Sequence, residues 1–117
     1  MPKQIDWHYQ RKNCDACDAA AAELASLGVT PAVEIADARK LRFDAVGVAR
    51  LARNAKRVIS IRRRVASIEP ITAKSPSDAD LAKLMLGPTG NLRAPTIRVG
   101  DTLVVGFDAQ VWREVLK

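Results

Sequence analysis

Hydrophobic and polar residues follow a strand-helix-strand pattern over the first third of the chain. Residues 5–10 (IDWHYQ) alternate large apolar with polar side chains, which predicts a strand. Residues 17–28 (CDAAAAELASLG) place apolar residues three and four positions apart and end at a glycine, which predicts a helix. Residues 31–37 (PAVEIAD) predict a second strand. This part of the chain is therefore predicted as β-α-β.

The middle of the chain is predicted to be mostly helical. Residues 43–55 (FDAVGVARLARNA) show helical spacing, and Asp44 is a suitable N-cap. Residues 74–87 (KSPSDADLAKLMLG) predict another helix, because Ser77 and the acid three positions later form a capping-box pattern. Residues 57–61 (RVISI) fit either a short strand or the end of the first helix, and their β-branched side chains favour a strand.

The C-terminal part has the clearest pattern. Residues 95–99 (PTIRV) and 102–107 (TLVVGF) predict two apolar strands, joined by a tight turn at 100–101 (GD). Asp108 is placed to cap a final helix over residues 109–117 (AQVWREVLK). The chain therefore ends as β-β-α.

Length and composition fit one α/β domain. The 117 residues are enough to bury a core without disulfides or metals. We predict a single domain over residues 1–117, with a helical insertion at about 43–90. No apolar run approaches the ~20 residues that cross a bilayer, and the first ten residues lack the apolar core of a signal peptide. We therefore expect a cytoplasmic protein with no membrane association.

Positive charge is concentrated in one segment. The chain has a net charge of +6, whereas residues 39–64 hold ten Lys or Arg and one acid, a charge of +9 that leaves −3 for the remainder. Such a segment attracts an anionic small molecule, nucleic acid or an acidic protein surface, although a solvated face is the simplest interpretation. Its single aromatic residue, Phe43, argues against a stacking surface for single-stranded nucleic acid.

The candidate chemistry lies in Cys14 and Cys17, the two cysteines of the chain. In a reducing compartment a Cys-x-x-Cys pair is more typical of metal binding or catalysis than of a structural disulfide. A closed zinc site needs about four N or S ligands, and His8 is the sole histidine. We therefore predict no metal site within one chain. A zinc site shared by two chains, or simple burial of both cysteines, are the alternatives.

The position of the pair favours redox chemistry. Cys14 precedes the predicted helix, whose free N–H groups and dipole stabilise a thiolate. Arg11 and Lys12 add positive charge, which two nearby aspartates oppose. Cys17 lies one helical turn further along, so we expect it to be more buried. Its expected role is to attack the mixed disulfide formed at Cys14.

The order of these features resembles the thioredoxin-like superfamily: a strand, Cys-x-x-Cys, a helix, and later a proline before a β-hairpin and a last helix. The resemblance implies a three-layer α/β fold with a mixed central sheet. It also implies that the peptide bond before Pro95 is cis and that Pro95 faces the cysteine pair. Residues 84–107 (LMLGPTGNLRAPTIRVGDTLVVGF) and the insertion are similar to the arsenate-reductase-like branch, which includes the Spx-type regulators.

The chain departs from the arsenate reductases of that branch in its arginines. Residues 15–22 (DACDAAAA) contain no arginine, and Ala94 stands where an arginine directly precedes the proline. Arg93 lies one position earlier, and the arginine expected after the final strand is replaced in "GFDAQ". Those enzymes commonly use one cysteine with glutathione, whereas this chain has a resolving partner in Cys17. The departures favour disulfide exchange.

We therefore weigh three functions. The first is a thiol–disulfide oxidoreductase acting on a protein or low-molecular-weight disulfide, with Cys14 as nucleophile and Cys17 as resolving thiol. The second is a reductase of arsenate or another oxyanion, with Arg93 on the oxyanion. The third is an Spx-type redox-sensing regulator that binds RNA polymerase. We expect a monomer with no cofactor beyond a thiol reductant such as glutathione or thioredoxin. The expected substrate-binding residues are Arg11, Lys12, Arg93, Ala94, Pro95 and Thr96.

Overall fold

The structure is a computed structural model that describes residues 3–117, so the first two residues of the predicted domain 1–117 lie outside it. In chain order its elements are β1 (Trp7–Gln10), α1 (Asp15–Leu27), β2 (Glu34–Asp37), α2 (Ala45–Arg53), β3 (Arg57–Ile61), β4 (Val65–Ile68), α3 (Asp78–Met85), β5 (Thr96–Val99), β6 (Thr102–Val105) and α4 (Ala109–Leu116). Within these residues, no helix has both the length and the apolar character needed to cross a membrane.

The strands form one mixed sheet in the order β2-β1-β5-β6-β3-β4. The β1–β2 and β3–β6 pairs are parallel, and the other neighbours are antiparallel. This topology brings the C-terminal ends of β1, β6 and β3 to the same end of the sheet as the N-terminal ends of β5 and β4. The loop with the two cysteines follows β1, so we call this the cysteine end of the sheet.

Helices cover both faces of the sheet. Side chains of a strand point alternately to its two faces, and Trp7 and Tyr9 of β1 pack in one cluster with Val48 of α2 and Leu81 of α3. The opposite face packs against α1 and α4 around Trp112, which is fully buried. The three layers and the mixed central sheet confirm the predicted fold class.

The helix starts predicted from the sequence are confirmed by their hydrogen bonds. The side chain of Asp44 accepts a bond of 2.9 Å from the N–H of Gly47. Ser77 caps α3 and Asp108 caps α4 in the same way. These bonds satisfy backbone donors that have no partner inside the helix.

The segment 43–90 contains the two predicted helices and, in addition, two strands. Residues 57–61, which the sequence left open, form β3 and pair in parallel with β6. Val65–Ile68 form β4, which the sequence analysis did not predict. Three of the four β4 residues are exposed, because β4 is an edge strand outside the helical layers. An exposed strand lacks the apolar alternation on which the sequence prediction depends.

Candidate functional site

Cys14 occupies the N-cap position of α1. The preceding residue, Asn13, has a φ of 56°, which turns the chain sharply after β1. Cys14 is extended, and its Sγ accepts a hydrogen bond of 3.2 Å from the backbone N–H of Cys17. The sulfur therefore takes the place of the oxygen that serine or aspartate supplies in an ordinary cap. A negative charge on this sulfur is stabilised by the free N–H groups and the dipole of α1.

The segment around Pro95 lies against the sulfur of Cys14. The Cys14 thiol donates a long hydrogen bond of 3.9 Å to the carbonyl oxygen of Ala94. The Ala94–Pro95 peptide bond is cis, as the family resemblance implied. Both cysteines are free thiols and each is 7% exposed. Ala94 therefore presents its backbone directly beside the candidate nucleophile.

The Cys17 thiol is held in its protonated form. Burial, followed by the hydrogen bond with Cys14, raises the pKa of the Cys17 thiol to about 12, although the backbone and charge of Arg11 act in the opposite direction. The expectation that Cys17 is more buried than Cys14 is wrong, because the two side chains have equal exposure. A protonated thiol is a poor nucleophile, so Cys17 is suited to the second step of an exchange reaction rather than to the first.

An open cleft of about 350 Å³ lies at the cysteine end of the sheet. Its lining includes Ala16 from the first turn of α1 and most of the loop 87–94, and the exposed side chains of Arg11 and Arg62 contribute positive charge. Neither cysteine lines the cleft. Cys14 adjoins it through Ala94, whose carbonyl contacts the Cys14 sulfur.

Arg93 lines this cleft, but its guanidinium group is bonded to the protein. Nη1 donates to the carbonyl of Ile61 at 2.6 Å. Nη2 donates to Ser60 Oγ at 2.7 Å and to the carbonyl of Leu84 at 2.8 Å. Burial, and then the charge of Arg62, lower the pKa of Arg93 to about 10. Arg93 thus joins β3 to the C-terminal turn of α3.

Replacing Arg93 by lysine should lower the free energy of unfolding by about 2 to 3 kcal/mol. A lysine ammonium cannot reach three acceptors held in the geometry of a planar guanidinium, and buried acceptors without a partner are costly. Urea denaturation measures the loss. Arg63→Lys is the control, because Arg63 is exposed, and it should change stability by less than about 0.5 kcal/mol. Equal stability of both variants would mean that the Arg93 guanidinium is free to bind an anion.

The remaining predicted site residues divide into exposed and buried groups. Arg11 and Lys12 are exposed in the loop before Cys14. They also line a smaller cavity of about 290 Å³ together with Cys17. Thr96 is fully buried, and its hydroxyl donates to the carbonyl of Arg93 at 2.7 Å. Pro95 is buried as well. Pro95 and Thr96 are therefore buried under the loop 87–94, and the hydrogen bond of Thr96 holds the end of that loop in place.

Gly106 is a positioning residue that the sequence analysis did not identify. Its N–H donates a hydrogen bond of 2.8 Å to the carbonyl of Pro95. A Cβ at this position would lie 2.5 Å from the carbonyl oxygen of Ile61. The sequence did contain a signal, because a glycine inside an apolar strand pattern often marks a close backbone approach. Gly106 allows β3 and the Pro95 loop to meet under the cleft.

Comparison with solved structures finds a similar fold. The match is to the YffB (PA3664) protein, with a TM-score of 0.55 and 18% sequence identity. The matched region covers 95% of the present chain and 98% of the YffB chain. The match confirms the thioredoxin-like fold, and at this identity it shows the fold alone. No family model matches the chain, and no curated protein sequence matches it.

Proposed function

We propose that this protein is a thiol–disulfide oxidoreductase of the arsenate-reductase-like branch of thioredoxin-like proteins. The position of the Cys14 sulfur carries the proposal. It caps α1, accepts a hydrogen bond from the N–H of Cys17 and contacts the carbonyl of Ala94. The free N–H groups and dipole of α1 stabilise negative charge on a sulfur at this position, a second thiol lies one helical turn away, and the open cleft adjoins Cys14 through Ala94.

The proposed reaction has two exchanges. The Cys14 thiolate attacks one sulfur of the substrate disulfide, so that a new S–S bond forms, the old one breaks and the first thiolate leaves and takes up a proton. Cys17 then loses its proton and attacks the Cys14 sulfur, which releases the second substrate thiol. The substrate gains two electrons and the protein becomes a Cys14–Cys17 disulfide. An external thiol reductant restores the two thiols.

The two alternative functions have less support. The predicted oxyanion reductase places Arg93 on the oxyanion, whereas the guanidinium of Arg93 donates to three protein acceptors. Such an enzyme would therefore depend on Arg11 or Arg62 at the cleft instead. A regulator that uses the basic segment 39–64 as one binding face needs its charges to be free. Arg53 of that segment is bonded to Thr72, Pro76 and Asp78 instead. Part of the segment therefore has a structural role.

The proposal is tested by alkylation of the reduced protein. At pH 7.5 iodoacetamide should modify one thiol, that of Cys14. The raised pKa of Cys17, about 12, keeps this thiol almost fully protonated at that pH. Labelling of Cys17 should therefore be much slower, and its rate should rise steadily with pH up to the pKa. Peptide mass spectrometry assigns each label, with Cys14→Ser and Cys17→Ser as references for the single thiols.

The same preparation tests whether the pair is redox-active. A mild oxidant should remove two hydrogens per chain and form an intramolecular disulfide that dithiothreitol reverses. Neither single-cysteine variant should form one. If both thiols are alkylated at the same rate at pH 7.5, or if no intramolecular disulfide forms, the proposed function is wrong.

A further inference from the structure

A cationic surface continues from the cleft beside Cys14 to the far edge of the sheet. The loop between β3 and β4 consists of Arg62, Arg63 and Arg64, and the N–H of Arg62 donates to the carbonyl of Arg64 at 3.1 Å. These three arginines and Lys83 of α3 line a second open cavity of about 540 Å³. Arg62 lines both cavities. Together with Arg11 at the cleft, these residues form what we call the basic rim.

The outer cations of the basic rim have no carboxylate partner. Among residues 3–117, those that line the two cavities include no Asp or Glu. The inner cations are more constrained, because Nη2 of Arg62 donates to the carbonyls of Lys83 and Leu86 at 2.9 and 2.8 Å, and Arg11 also lines the smaller cavity with Asp18 and Asp37. Arg63, Arg64 and Lys83 are exposed, and across the described residues the ion pairs involve other cations. Three consecutive arginines repel one another unless an anion lies between them. The rim is therefore suited to an anionic partner.

The rim extends beyond the cysteine loop. The Cys14 sulfur lies against Ala94, just before β5, and the β3–β4 loop is two to three strands from β5 in the order β5-β6-β3-β4. Neighbouring strands lie about 4.8 Å apart, so the distance from the Cys14 sulfur to this loop is about 10 to 14 Å. An extended polypeptide advances about 3.3 Å per residue and covers this distance with roughly four residues.

We propose that the substrate is a polypeptide with an acidic segment that begins about four residues from its reacting cysteine, an inference that rests on the proposed function. The cysteine reaches Cys14, while the acidic segment lies on Arg63 and Arg64. Cystine, whose carboxylates lie only a few atoms from its sulfurs, does not reach these two arginines. A nucleic acid brings no sulfur to Cys14, and the described residues lining the two cavities include one aromatic, Phe107, which provides little surface for stacking.

Exchange with defined peptides tests this substrate class. Each peptide carries one cysteine as a 2-pyridyl disulfide and, beginning four residues away on both sides, three Asp, three Asn or three Lys. Attack by reduced Cys14 on the peptide sulfur releases one pyridine-2-thione, which absorbs light. Cys17 then releases the peptide as a free thiol, so one turnover needs no added reductant. At low ionic strength the second-order rate constant for the Asp peptide should exceed that for the Asn peptide about tenfold.

Reversing the charge of two arginines tests whether the preference for the Asp peptide comes from the basic rim. The double variant Arg63→Glu/Arg64→Glu should remove the preference for the Asp peptide and favour the Lys peptide. Lys56→Glu/Lys117→Glu is the matched control, because it changes the net charge equally. Both lysines have highly exposed side chains, 82% and 80%, and lie near the opposite end of the sheet. The control should keep most of the preference. Salt at about 0.5 M should remove it in every protein, because the interaction is screened.

The outcomes separate this inference from the proposed function. Equal rates for the three peptides, with Cys14-dependent release of pyridine-2-thione, would overturn the acidic substrate and leave the oxidoreductase. No Cys14-dependent release from the Asn peptide would overturn both. A preference that survives in Arg63→Glu/Arg64→Glu would also overturn the role of the rim. The exchange reaction can also be inhibited with a duplex oligonucleotide and with a sulfur-free Asp peptide of equal charge. Stronger inhibition by the oligonucleotide would mean that the rim binds nucleic acid, and it would overturn the acidic polypeptide substrate.

Discussion

Gly106→Ala should lower the free energy of unfolding by about 3 kcal/mol or more, because two penalties add at this position. The φ angle of Gly106 is 97°, a conformation that residues with a Cβ rarely adopt. The new methyl group would also lie 2.5 Å from the carbonyl oxygen of Ile61 and 3.4 Å from Nη1 of Arg93. The clash is with backbone, so a side-chain rotation cannot relieve it. Urea denaturation measures the loss.

Gly90→Ala separates the two penalties. Gly90 also has a positive φ, 76°, but a Cβ there meets no atom within 4 Å. Its cost should therefore be limited to the backbone penalty of about 1 kcal/mol. The same loss of stability in both variants would show that β3 and the Pro95 loop do not meet closely at Gly106.

The folded fraction of Gly106→Ala should also react more slowly with a disulfide. The N–H of Gly106 bonds the carbonyl of Pro95, and its carbonyl accepts a bond of 3.0 Å from the indole of Trp112. A shift of Gly106 therefore moves the loop that carries Ala94 beside the Cys14 sulfur. Since effects on stability and on reactivity come from one contact, this residue connects the core of the fold to the candidate site.

The features that the sequence predicted well are local. An N-cap side chain accepts from the N–H three residues later, so Asp44, Ser77 and Asp108 could be assigned from short patterns, and Cys14 fits the same rule. The cysteine pair could be placed at the junction of a strand and a helix for the same reason, although α1 begins at Asp15 and includes Cys17. The family resemblance then implied the cis peptide bond before Pro95, which the structure has, and the carbonyl of Ala94 in that bond contacts the Cys14 sulfur.

The features that the sequence did not predict depend on contacts between distant segments. The Nη1 of Arg93 bonds a carbonyl 32 residues earlier in the chain, and no local pattern encodes that partner. An arginine near a cysteine loop is equally suited to an anion or to a buried brace, and only the fold distinguishes them. Likewise β4 has exposed side chains on an edge, so hydrophobic periodicity gave no signal for it. Without β4, the sequence could not show that the three arginines form a loop at the cysteine end.

Cys14→Ser should reduce disulfide exchange on the order of 10³-fold or more, because a serine hydroxyl does not ionise at neutral pH and does not attack sulfur as a thiolate does. Serine is a favourable N-cap, so its side chain can still accept from the N–H of residue 17 and α1 should keep its start. The expected loss of exchange rate then comes from the missing thiolate and not from a change in the fold. Pyridine-2-thione release from the Asn peptide measures the rate, and circular dichroism checks the fold.

Cys17→Ser should behave differently, because it removes the second exchange and keeps the first. One pyridine-2-thione should be released, and the peptide should stay on Cys14 as a mixed disulfide that mass spectrometry detects. Ala19→Ser, an exposed position of α1 outside the cleft, is the matched control and should react as the unaltered protein does. Full exchange by Cys14→Ser would reverse the assigned roles. Release of the peptide thiol by Cys17→Ser without added thiol would mean that Cys17 does not resolve the intermediate, and the raised pKa of Cys17 would then have no catalytic meaning.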